Sequence, residues 1–107
     1  MKKINYSFIT AFSATILLVF PSCNKNTPDT SGLYTPTSAD VTSSASLSDL
    51  QQGRALYVNN CGVCHGLYSP DSHNPSQWKS TLARMAPNTN MSGAQVQLVS
   101  KYLCRGH

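Results

Sequence analysis

Cys61-Gly62-Val63-Cys64-His65 sets two thiols three positions apart and an imidazole directly after the second. This is the C-x-x-C-H pattern of covalent haem attachment. A chain with this one's composition, four cysteines and three histidines in 107 residues, would show it by accident only about 0.004 times. The spacing follows from the chemistry. Two thiols so placed can each add to a vinyl group of a haem, and the imidazole of the next residue then lies under the iron as the proximal ligand. A thioredoxin-like redox pair would need a βαβ pattern around the motif, and none is present. Half of a zinc site would need a further Cys/His pair at metal spacing, whereas Cys104 and His107 stand alone.

Outward from the motif, the sequence predicts three helices and no strand. Ser48, with Gln51 three positions on, reads as a reciprocal capping box for a first helix reaching about Asn60, with Leu50, Ala55, Leu56 and Tyr57 as its apolar side. Asn74-Pro75-Ser76-Gln77 opens a second, with Asn as cap, Pro in the first turn and Gln closing the box. Trp78, Leu82 and Met85 follow at i, i+4 and i+7 on one face. Ser92-Gly93-Ala94-Gln95 opens the third, where Val96, Val99 and Leu103 share a face with Leu98 and Tyr102 beside it. Gly53 inside the first helix costs about 0.5–1 kcal/mol relative to Ala, so a compensating contact is expected.

From Leu47 to Leu103 the chain resembles small bacterial class I cytochromes c. The matching residues are Leu50, Gly53, Leu56 and Tyr57, the haem motif itself, Gly66-Leu67-Tyr68 with Pro70, then Trp78, Leu82, Met85 and Pro87, Met91-Ser92, and Val99 with Tyr102-Leu103. The resemblance implies an all-α, cytochrome c-like bundle of three main helices wrapped around one haem c per chain. It also implies that Gly53 lets the last helix cross the first closely near Tyr102. Pro70 resembles the position whose neighbouring carbonyl accepts the proximal imidazole N–H, with Pro75 as its rival. Trp78 and Tyr68 are expected to pack against the haem.

The sixth iron ligand is sought among Met85, Met91, His73 and His107, the soft or imidazole donors. Met85 ends the second helix and is followed by Pro87 and an irregular turn to Ser92, much as the ligand loop of these cytochromes runs. Met91 directly precedes a helix cap, where an apolar residue commonly packs as a staple. Metal ligands are therefore expected to be His65 and Met85, with His73 a solvated loop residue. Cys104 is left over from lipid and haem, and a thiol half-covered at a helix end is expected there, ahead of an intermolecular disulfide.

The front of the chain carries an address. Lys2 and Lys3 precede an apolar run from Phe8 to Phe20, too short to span a bilayer, which needs about 20 apolar residues. Phe20-Pro21-Ser22-Cys23 resembles a lipobox, although Phe20 and Pro21 are atypical in it. Residues 1–22 are thus expected to be a lipoprotein signal peptide and Cys23 the lipidated residue. Residues 24–46, rich in Ser, Thr, Pro, Asn and Asp, are expected to form a disordered tether together with Cys23, and residues 47–107 the haem domain. By resemblance to enteric lipoproteins, Asn24 in place of Asp favours the outer over the inner membrane, facing the periplasm.

Composition narrows the function. The chain has eight Lys/Arg and four Asp/Glu, a net charge of +4, and loss of Lys2 and Lys3 with the leader would leave +2. Only 11% of residues are charged and no basic cluster survives, so nucleic-acid binding is not expected. A globular segment this short is marginal without something besides side chains in its core. The reading is an electron carrier, a monomer whose partners would be a respiratory complex, a terminal oxidase or a periplasmic dehydrogenase. The alternatives are a gas sensor or peroxidase-like protein with an open sixth site, and a haem accessory subunit of a larger oxidoreductase. No acid/base pair for peroxide cleavage stands near the motif.

Overall fold

Helices form where the sequence supplies both a start signal and an apolar stripe. In the computed structural model of the protein, which describes residues 28–105, these are α1 (Leu47–Cys61), α2 (Pro75–Met85) and α3 (Gly93–Leu103). Among the described residues there is no strand, only an isolated bridge between Thr42 and Ala45, and the architecture is all-α. No described helix is long and apolar enough to cross a membrane. The expected signal peptide, Cys23 and His107 lie outside the described residues.

The caps at Asn74 and Ser92 form as expected, each side-chain oxygen accepting from the backbone N–H three residues on while Gln77 and Gln95 return the bond. The cap of α1 differs. Ser46, not Ser48, accepts from the Asp49 N–H at 3.1 Å, and Asp49 accepts from the Ser46 N–H at 3.2 Å. An ionised carboxylate near a helix N-terminus meets the positive end of the macrodipole, an advantage that Gln51 lacks. Ser48 lies inside the first turn, where its hydroxyl accepts from Gln52.

The core lies where α1 crosses α3. Leu50, Val99 and Leu103 are fully covered, each contributing about 1.5–3 kcal/mol relative to exposure. Val99 and Leu103 cluster with Leu33, Tyr57, Trp78, Leu82, Tyr102 and Cys104, with Met91 partly buried against them. Gly53 is the crossing point: a Cβ there would fall on the Leu98 carbonyl oxygen and within 2.9 Å of the Tyr102 Cβ. The close approach that compensates for this glycine is thus present, at the residues expected. Lys101 on α3 reaches back to Asp49 on α1 at 2.8 Å and holds that carboxyl below its usual range.

The expected tether is shorter than its composition suggests, and the folded unit does not begin at Leu47. Residues 28–46 are a strap laid on the helices, with Leu33, Pro36 and Ala45 buried. Tyr34 stacks on Tyr102 at 4.7 Å between ring centroids, the Arg54 Nε donates to the Tyr34 carbonyl at 3.2 Å, and the Arg105 guanidinium sits 5.0 Å over the Tyr34 ring. A few spaced anchors offset the ordering cost of a polar segment that would not fold alone.

Cys104, the C-cap of α3, is also more enclosed than expected. It is 3% exposed, with its sulfur 3.8 Å from the Pro75 carbonyl oxygen and 3.9 Å from the Ser100 hydroxyl. Such a thiol is closed to a partner chain in this fold.

Candidate functional site

The C-x-x-C-H motif sits at the C-terminal end of α1. Cys61 is the last residue of that helix, Gly62 its cap, and Cys64 and His65 follow in the turn. A pair of reciprocal bonds pins the loop that comes next. The Tyr57 hydroxyl donates to the Tyr68 carbonyl at 2.9 Å and accepts from the Tyr68 N–H at 3.1 Å, so the segment between them is closed into a ring on α1.

Beside this turn opens a cavity of about 700 Å³, within the roughly 300–1,000 Å³ typical of ligand sites. Cys61, Val63, Cys64, His65 and Tyr68 line one side of it, and Trp78, Leu82 and Met85 of α2 line another, with Asn88, Thr89 and Asn90 after them. The lining is mostly apolar. Of the four exposed large apolar residues among those described, three, Val63 (76%), Tyr68 (56%) and Met85 (41%), ring this cavity. An exposed apolar cluster of this kind marks a surface that something covers.

The donor atoms of the motif are arranged as follows. The His65 Nδ1 lies 2.7 Å from the Gly66 carbonyl oxygen. A carbonyl only accepts, so in this pairing Nδ1 carries the proton, and in the neutral ring the lone pair is on Nε2. Cys61 and Cys64 are free thiols, and burial, followed by the neighbouring Cys64, pushes the Cys61 thiol pKa up and keeps it protonated. Among the described residues no group of three His, Cys, Asp or Glu side chains is arranged to hold a bare metal ion.

Met85 and Met91 are separated by the fold. Met85 is on the cavity wall, exposed at the end of α2, whereas Met91 does not line the cavity and packs on the core cluster. Trp78 and Tyr68 both line the cavity. The Trp78 Nε1 donates to the Pro70 carbonyl at 2.8 Å, which satisfies its one polar atom and fixes its ring. Pro70 itself is buried away from this cavity. The carbonyl at the imidazole belongs to Gly66, adjacent in sequence, because the ring folds back on its own turn. Pro70 therefore positions Trp78 and is not seen to orient His65.

Sequence reading missed part of the wall. His73, expected to be solvated, is half-buried, its ring 4.7 Å from Trp78 and 6.1 Å from Tyr68, with the Ser72 hydroxyl 3.0 Å from its Nδ1. Tyr57 and Arg84 also line the cavity. Tyr57 was readable, one turn before Cys61 on the same helix face. His73 belongs to a short loop without periodicity, and Arg84 to the polar side of α2.

No protein-family model matches this chain, and no curated protein or solved structure is significantly similar to it.

Proposed function

We propose that this protein is a lipid-anchored, mono-haem c-type cytochrome that carries single electrons. The observation that carries the reading is the convergence on one mostly apolar cavity of both motif thiols, an imidazole with a free Nε2, and the thioether of Met85. Cys61 and Cys64 would hold the haem as thioethers, with His65 and Met85 on its iron. The bound group would supply a one-electron Fe(III)/Fe(II) couple, which a His/Met ligand pair biases toward a high potential.

The chain's own residues do the rest. Trp78, Leu82 and Tyr57 exclude water from the inner wall, and the Tyr57–Tyr68 bond pair keeps the motif turn from opening. Arg84 lines the same cavity as a cation suited to the carboxylates on the edge of a haem. Met85 lines the same cavity as His65, which supports a carrier over a sensor or peroxidase. Cys23 would be acylated, holding the domain to a membrane on its periplasmic side, the outer membrane favoured. Partners would be membrane-associated or periplasmic redox proteins.

A potentiometric titration of the purified mature protein tests this reading. A single reversible one-electron transition, with no change in the spectrum of the reduced protein under carbon monoxide, is expected. Ready carbon monoxide binding would move the open-site reading ahead.

A further inference from the structure

Pro28 lies against the haem motif. A Cβ built on Gly62 would come within 2.8 Å of the Pro28 Cβ and 2.9 Å of its Cγ, so the strap begins in contact with Gly62, the residue between Cys61 and Val63. The stretch between Cys23 and Pro28 is short. Only residues 24–27 separate it from Cys23, and five residue steps reach at most about 18 Å however they are arranged. The strap consumes the rest of the sequence that composition assigned to a long tether.

We infer that the Pro28–Gly62–Val63 face is the surface of this protein that docks on the lipid bilayer holding Cys23. The inference rests on acylation of Cys23 and deepens the proposed function. An acyl chain at Cys23 fixes this end of the domain within about 18 Å of the headgroups, while the N-terminal end of α1, at Ser48, lies about 20 Å further along the helix axis. Val63, which follows Gly62 directly at the edge of the cavity, is the most exposed of the large apolar side chains described, 76% free, so the bilayer would cover the part of it that a group in the cavity leaves open. An apolar side chain held beside an anchor point gains by entering the headgroup boundary. The haem attachment edge would then face the membrane rather than open periplasm.

Photo-cross-linking tests this on the full-length, acylated protein, reconstituted into vesicles of phosphatidylethanolamine with a minority of phosphatidylglycerol. Benzoylphenylalanine replaces Val63 in one sample, Asp29 in a second and Ser48 in a third; Asp29, beside Pro28 and outside the motif, serves if the change at Val63 disturbs maturation. Lipid adducts severalfold more abundant from positions 63 and 29 than from 48 are expected. Inserting about 20 Gly/Ser residues between Thr27 and Pro28, with an r.m.s. reach of roughly 25 Å, should bring the adducts at all three positions toward one level. Equal adduct formation from the three positions without the insertion, in a protein whose intact mass shows acylated Cys23, would overturn the docking face and leave the anchor standing. An intact mass without acyl chains would overturn the anchor and the docking face with it.

Discussion

Tyr34 and Tyr102 bind each other's main chain: the Tyr34 hydroxyl donates to the Tyr102 carbonyl at 2.8 Å, the Tyr102 hydroxyl donates to the Tyr34 carbonyl at 3.0 Å, and the rings stack 4.7 Å apart. Tyr102 also packs on Gly53 at the α1–α3 crossing. The strap is thereby fastened to the contact that holds the helices together. Tyr34→Phe removes one hydroxyl and should cost about 1 kcal/mol, while Tyr34→Ala also removes the stacked ring and should cost about 2–4 kcal/mol. Urea unfolding of the mature protein checks both, and equal stability of Tyr34→Ala and the parent would mean that the strap is not part of the folded unit.

Alkaline pH should loosen the same region. Burial is the first cause that pushes Tyr34, Tyr57 and Tyr102 up to about 12 each from an ordinary value of 10.0. The folded state therefore holds these protons more tightly than the unfolded chain does. Their contribution is fully present below pH 10 and is lost as pH rises from about 10 through about 12. Circular dichroism at fixed urea should show stability falling across that window, less steeply in Tyr34→Phe, which has one fewer such group.

Gly53→Ala should destabilise although alanine is the better helix former. The propensity gain of about 1 kcal/mol is outweighed by a methyl placed on the Leu98 carbonyl oxygen and against Tyr102, an overpacking cost of about 1–3 kcal/mol with backbone, rather than a flexible side chain, as the obstacle. A urea midpoint above that of the parent would show that the crossing can open freely.

The two methionines should separate function from stability. Met85→Ala is expected to abolish the weak red absorption band of a thioether on ferric haem, lower the potential and speed cyanide binding, with little loss of stability because Met85 is 41% exposed. Met91→Ala should keep the band and cost about 1–2 kcal/mol, below the range for a fully buried methionine. Loss of the band in Met91→Ala alone would reassign the ligand.

Trp78→Phe should weaken the site from one step away. It leaves the Pro70 carbonyl without its buried donor, a cost of about 1–3 kcal/mol, and frees the ring that backs the cavity. A raised unfolding rate, with the ligand band retained, distinguishes this positioning role from ligation.

Much of this was legible because it is local. Asn74 with Gln77, Ser92 with Gln95, and the Trp78–Leu82–Met85 stripe each lie within two turns of helix, and local chemistry decides them. The strap was not legible because Leu33, Tyr34, Pro36 and Ala45 are scattered in a polar stretch, and their partners Arg54 and Tyr102 are far away in sequence. The position of His73 on the cavity wall depends on where the loop returns to Trp78, and the use of the Pro70 carbonyl depends on the same return. The separation of Met85 from Met91 needed the path between α2 and α3, although the sequence already favoured Met85.

The most direct measurement is the intact mass of the mature protein after acid-acetone extraction. A mass exceeding the acylated polypeptide by one haem, lost when Cys61 and Cys64 are both changed to Ser, is expected. A chain that emerges without haem and with both thiols free would contradict the proposed cytochrome.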